Sequence, residues 1–346
     1  MMRRASVLIA AVVALGWSAA SLRTPAEWRP AADLPARLSN QEFWQLSQAS
    51  SEPGGYFRSA DITNLTSNEL WYQHVIQDLV ARTKPGGVYL GVGPEQNYTY
   101  MTALRPALAV IFDVRRGNLN LQLMYKAIFE LARDRADFVS MLFAKPRPAG
   151  LGPRSTVDEI FSAFAGSKTS EELYGRHLAA IRTHLTRTRG LPLPDPDLAA
   201  IEAIYRAFYL GGYYVRSSPS YWELMIATDA AGTPRSYLAT EAGFAWLKDL
   251  QARNLVVPVV GDFAGPRAIR ATGAWLKSRG ATVTAFYLSN VEQYLLQDGR
   301  WNVFCANVAA LPLDASSTFI RSTSGGGRGF VNSLGAMAVE TRGCGR

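Results

Sequence analysis

The chain has 346 residues, 48% hydrophobic and 18% charged, so it can bury a large core and is not a disordered polymer. Its net charge of +8 suits nucleic acid, anionic lipid or an acidic ligand. The Lys and Arg are scattered, however; no run resembles a basic nucleic-acid arm, and the charge reads mainly as solvated surface.

Arg3 and Arg4 precede an apolar stretch from Ala5 to Trp17, and Ser18-Ala19-Ala20 follow as small residues. A positive start, a short apolar run and a small-residue site predict a secretory signal over residues 1–20. An uncleaved membrane anchor is the second reading, and an apolar helix at a mis-assigned start the third. Export or anchoring through this segment is the expectation, with membrane contact limited to the N-terminus. Residues 21–50 are Pro-, Ala- and Ser-rich and read as a linker, with one amphipathic piece at Gln41–Leu46.

Ser67 is placed to cap a helix whose apolar face carries Leu70, Trp71, Val75, Leu79 and Val80. Lys84-Pro85-Gly86-Gly87 stops it. Val88-Tyr89-Leu90 is a short strand running into Gly91-Val92-Gly93-Pro94; a helix from Tyr98 to Leu104 follows, then a strand from Ala107 to Phe112 that closes on Asp113. Asn118 to Ala132 reads as a helix. Pro and Gly then break the pattern at Lys145–Pro153, and helices follow at Val157–Ala165, Ser170–Arg187 and Asp197–Leu210 without strands between them. The α/β alternation returns with a helix at Glu241–Arg253, a strand at Val256–Gly261 and a helix at Pro266–Arg279. A strand at Thr282–Leu288, a short helix at Val291–Leu296 and a late edge strand at Thr318–Arg321 complete it. The pattern predicts an α/β fold, a Rossmann-like doubly wound and mostly parallel sheet with a helical insertion. The halves would be 51–145 and 236–325, the insertion 146–235. Gly325–Gly329 lacks a Walker lysine and opens a flexible tail, 326–346.

Cys305 and Cys344 are too few for a disulfide framework or a CxxC metal site; they form one disulfide in an exported protein or remain two thiols. His74, His177 and His184 lack metal-site spacing, and no metal is expected.

In a doubly wound sheet the ligand lies beyond the carboxyl ends of the strands. Gly91 and Gly93 remove side chains from the first such turn, and Asp113, twenty-two positions after Gly91, ends the next strand where a carboxylate can meet both ribose hydroxyls. The competing reading is a tight turn plus a surface Asp in a fold that binds something else. Gln96 stands where the third glycine of GxGxxG would fall, so a cofactor without a diphosphate fits better than a dinucleotide.

Gly87-Val88-Tyr89-Leu90-Gly91-Val92-Gly93 followed by Val110-Ile111-Phe112-Asp113 resembles motifs I and II of class I S-adenosylmethionine-dependent methyltransferases. Ser51-Glu52-Pro53-Gly54-Gly55-Tyr56-Phe57, Ser67-Asn68-Glu69, Gly91 to Asn97 and Ser289-Asn290-Val291-Glu292-Gln293-Tyr294 resemble an uncharacterised bacterial family with that fold, over about residues 40–325. The resemblance implies S-adenosylmethionine as small-molecule cofactor, with Gly91 and Gly93 lining its methionine end and Asp113 holding its ribose. Tyr89 and Glu95 depart from the methyltransferase pattern, and Glu95 or Glu69 would take over the grip on the ammonium group.

Methyl transfer needs an aligned acceptor and, where the acceptor holds its proton, a base. Asp262, Tyr287 and Asn290 fall at successive strand ends and are the candidates for acceptor contacts; Asp262 as a helix cap and Tyr287 as core are the structural alternatives. No G-x-S-x-G elbow marks a hydrolase. The aromatic run from Tyr205 to Trp222 is either an acceptor pocket or the packing seam of the insertion. Two functions remain: a methyltransferase-like enzyme with an unknown acceptor, or a non-catalytic exported or membrane-tethered binding module on the same fold.

Overall fold

Four apolar runs that are buried on both faces, together with the more polar Thr318–Ser324, become the parallel part of one sheet, as expected for strands covered by helices on either side. The computed structural model describes residues 33–55, 64–216, 218–324 and 329–344. The signal-like segment, the first part of the expected linker, Tyr56 and Phe57, and residues 325–328 of the glycine run lie outside the described residues.

The chain proceeds through α1 (Asn40–Ser50), α2 (Ile76–Arg82), β1 (Val88–Val92), α3 (Gln96–Leu104), β2 (Leu108–Asp113) and α4 (Arg116–Leu131). Then come α5 (Arg135–Phe143), α6 (Val157–Ala165), α7 (Glu171–Thr183), α8 (Asp195–Gly211), α9 (Tyr221–Ile226) and α10 (Glu241–Ala252). The second half holds β3 (Val256–Val260), α11 (Ala268–Lys277), β4 (Val283–Ser289), α12 (Val291–Gln297), α13 (Trp301–Ala309), β5 (Thr318–Ser324), β6 (Phe330–Ala336) and α14 (Met337–Glu340). The sheet order is β3-β2-β1-β4-β5-β6, with β6 alone antiparallel. From β1 the sheet grows first to β2 and then, on the other side, to β4. The ends of β1 and β4 therefore splay apart at a topological switch point, the place where such sheets take ligands.

Several expectations change. Residues 40–50 are not linker: Ser39 and Glu42 form a reciprocal capping box, and Phe43 and Leu46 are buried against β3 and α11. No helix starts at Ser67, whose amide is committed to the Glu95 carboxylate; regular structure begins as a 3-10 turn at Tyr72–Val75. That turn rotates the face, leaving Trp71 and Val80 each 47% exposed. β5 is not the edge, because β6 pairs along its whole length, so the expected tail is structured from Phe330 onward. Cys305 and Cys344 form a disulfide, Cα–Cα 5.6 Å, that fastens the C-terminal end to α13.

The insertion packs on α4, mainly through α8. Phe208, Tyr213 and Tyr221 are buried in ring contacts with Tyr125, Phe143 and Phe161, and the buried Tyr205 stacks on Tyr174. The aromatic run is thus a packing seam. Among the described residues no helix is long and apolar enough to cross a membrane.

Candidate functional site

The loops that leave β1, β2, β3 and β4 at their carboxyl ends surround a cavity of about 420 Å³ at the switch point. Gly93, Asp113, Asp262 and Asn290 lie on its wall, with Gln96, Arg115, Arg216, Ser289 and Arg300 beside them. Glu69, Glu95, Gly91 and Tyr287 do not.

Gly93 has φ +78°, and a Cβ built on it would meet nothing within 4 Å. It supplies both the backbone turn and the open floor. Gly91 serves a different purpose: a Cβ there would sit 1.9 Å from Asn97 Oδ1 and 2.8 Å from the Tyr89 ring. Asn97 Oδ1 accepts from the Tyr89 hydroxyl at 2.8 Å, while its Nδ2 donates to Val92 O at 2.9 Å and Pro94 O at 2.7 Å. The first glycine therefore makes room for the asparagine that ties the loop, rather than for a ligand. This corrects the expected role of Gly91.

Asp113 is on the wall as expected, but Arg115 claims its carboxylate through the backbone amide at 2.9 Å, Nε at 3.0 Å and Nη2 at 2.9 Å. Of roughly four lone-pair sites on a carboxylate, three are used. Asp262 accepts from Ala264 N at 2.8 Å and pairs with Arg300 at 2.5 Å, so it caps the turn before α11 while facing the cavity. Tyr287 is core: it is fully buried, and its hydroxyl accepts from Gln96 Nε2 at 2.7 Å. It lies behind the wall residues Gln96 and Ser289 rather than on the wall, the core alternative to an acceptor contact. Gln96 Oε1 is buried and has no partner among the described residues.

Glu69 and Glu95 are fully buried behind the wall. Burial pushes the Glu69 carboxyl upward, against hydrogen bonds from Ser289, Tyr287 and Asn332 that pull it down. Ser289 donates to Glu69 and is itself on the wall, with φ +51° where β4 shifts register against β5. A non-glycine residue in that conformation carries strain of about 1–3 kcal/mol and is concentrated at ligand sites. Burial likewise raises Glu95 to about 7, opposed by the Ser67 amide and the charge of Arg216. Both expected ammonium grips lie behind the wall and meet it through a neighbour, Glu69 through the Ser289 hydroxyl and Glu95 through the Ser67 amide.

Sequence reasoning passed over Arg115, Arg216, Arg300 and Glu52. The Glu52 carboxylate accepts from Arg267 N and Ala268 N, both at 2.8 Å, and from Asp262 N at 3.3 Å. Gly265 leaves room for it, since a Cβ there would stand 2.2 Å from the Glu52 oxygen. The anion site at the start of α11 is thus filled by the chain's own side chain. The available signal was the Ser51–Gly55 motif, read for likeness only.

A mostly parallel α/β sheet with a ligand-sized cavity at its switch point defines a Rossmann-like domain. Over residues 62–339 the chain matches the family described as "Domain of unknown function (DUF7790)", and it belongs to that family. No curated protein matches the chain.

Proposed function

We propose that this protein binds S-adenosylmethionine in the switch-point cavity and acts as a methyltransferase-like enzyme on an acceptor that remains to be identified. The observation that carries the reading is the cavity itself, floored by the side-chain-free Gly93 between the ends of β1 and β4. Its volume suits a nucleoside-sized ligand. The helix of the first β-α turn, α3, opens on Gln96 where the third glycine of a dinucleotide loop would stand, which favours a ligand without a diphosphate.

The residues fit such a cofactor in part. The buried Oε1 of Gln96 is an acceptor awaiting a donor, and Ser289, polarised by Glu69, offers the negative side of the site to an ammonium group. Asp113 retains about one lone pair for a ribose hydroxyl, fewer than the resemblance implies. Bound there, the cofactor would supply a methyl group on a positively charged sulfur. Asn290 and Asp262, on the same wall, would then orient an acceptor.

Calorimetric titration of the full chain with S-adenosylmethionine and S-adenosylhomocysteine tests this. Binding that weakens in Gly93→Ala supports it; no heat of binding at millimolar ligand sinks it. The disulfide favours the second reading, an exported or membrane-tethered non-catalytic binding module, because such bonds persist in oxidising compartments while this cofactor is made in the cytoplasm. A phosphatase fusion to the first thirty residues reports on which side of the membrane the domain resides.

A further inference from the structure

The helical insertion sends one charged side chain to the cavity. Arg216 lies on the wall, two residues beyond the short turn Gly212–Tyr214 that follows α8. Among the described residues it is the one cation on the wall with neither an ion-pair nor a hydrogen-bond partner. The other two guanidiniums are neutralised, Arg115 by Asp113 at 2.9 Å and Arg300 by Asp262 at 2.5 Å. Asp298, on the exposed rim, is engaged as well. With those pairs set aside, Arg216 is the guanidinium left with its donors facing the cavity. Asn68, also on the wall and without a side-chain partner among the described residues, adds an amide donor.

We propose that Arg216 grips an acidic group, a carboxylate or a phosphate, on the ligand of this cavity, so that the insertion reads the ligand's charge. A guanidinium presents a planar fork of donors that matches either anion in a bidentate fashion. Against a protein wall its field is screened less than in bulk water. Glu95, behind the wall on the Ser67 amide at 3.1 and 3.3 Å, feels the charge of Arg216 but forms no hydrogen bond or ion pair with it, and burial holds its carboxyl at about 7. The acidic group has two sources: the amino-acid end of the cofactor, which rests on the reading above, or a separate acidic ligand.

The test titrates the full chain, Arg216→Ala and Arg216→Lys with S-adenosylhomocysteine and with methylthioadenosine, the related nucleoside that lacks the amino-acid end. A melting-temperature series in inorganic phosphate runs beside it. We expect Arg216→Ala to weaken S-adenosylhomocysteine roughly 10- to 100-fold and leave methylthioadenosine unchanged, with Arg216→Lys recovering part of the loss. That result assigns the group to the cofactor. If Arg216→Ala leaves both nucleosides unaffected but removes a phosphate-dependent rise in melting temperature, the inference stands and the acidic group belongs to a separate ligand. Failure of the unmodified chain to bind either nucleoside overturns only the cofactor reading, and the phosphate series then decides alone. Arg216→Ala behaving as the unmodified chain toward all three probes overturns the inference. Unliganded melting temperatures establish that both variants fold.

Discussion

Gly91 and Gly93 are two positions apart, yet a methyl group added at each meets a different obstacle. At Gly91 it collides with Asn97, which cannot move without releasing the carbonyls of Val92 and Pro94. Gly91→Ala is therefore expected to lower the urea-derived stability by about 1–3 kcal/mol, as overpacked sites do. At Gly93 the methyl meets open space, and the cost is the left-handed backbone, about 1–2 kcal/mol. Gly93→Ala should be the variant that disturbs ligand titrations, because only its methyl enters the cavity. Positions such as Gly93 and Asp113 were legible because a glycine turn and a strand-ending Asp are local patterns. The inward role of Gly91 and the grip of Arg115 on Asp113 depend on what folds against them, which spacing along the chain does not encode. Glu95 adds a pH prediction. Burial raises it from 4.5 to about 7, so between those values the unfolded chain ionises first and stability falls as pH rises. The drop is expected to reach about 3 kcal/mol in urea titrations at pH 4.5 and 7.5, and Glu95→Gln should flatten most of it.

At the scale of elements, the insertion is held by polar groups that sit under it. The buried guanidinium of Arg135, on α5, donates to the carbonyls of Pro153 and Ser155 where the insertion departs. It also donates to Leu238 and Ala239, where the chain returns. Glu130, on α4, is met by Lys126 at 2.8 Å and by His184 at 2.6 Å, with Arg189 also paired to it. Burial pushes the Glu130 carboxyl up, but these partners outweigh it and hold the group at about 2. Its stabilisation is therefore complete above pH 4.5 and lost as pH falls toward 2, the opposite sign from Glu95 and a separate window. Glu130→Gln leaves a buried lysine facing no charge, and a loss of about 3–5 kcal/mol is expected. Amide exchange should show it first in α7 and α8, which the His184 and Arg189 contacts tie to α4. The buried strands were readable because both faces are apolar. α5, α13 and β6 were not: β6 runs Phe-Val-Asn-Ser-Leu-Gly-Ala, and its polar and glycine residues belong to a half-exposed edge that borrows its order from β5.

For the whole molecule, the disulfide decides how firmly the far edge of the sheet stays in place. Cys305 and Cys344 are 39 residues apart, and the loop they close contains β5, β6 and α14. Within that loop Asn332 donates to Glu69 at 3.4 Å, so the C-terminal edge also backs the carboxylate behind the cavity. Closing a loop of this length stabilises by about 4 kcal/mol when the effect is counted as lost freedom of the unfolded chain. Measured values for such bonds fall at or below that figure, because the native geometry and residual structure of the unfolded chain offset part of the gain. The expected loss on reduction, or in the paired Cys305→Ala and Cys344→Ala variant, is therefore about 2–4 kcal/mol in urea unfolding. Loss of exchange protection should be concentrated in β6 and α14. The same pair also separates the two functional readings, because a bond of this kind persists where the surroundings are oxidising and not where glutathione keeps thiols reduced. Protein taken rapidly from its native cells, unfolded under acid and titrated for thiols should show none if the domain is exported. Two reactive thiols would instead place it with the cytoplasmic pool of S-adenosylmethionine, and the methyltransferase-like reading would gain what the exported module loses.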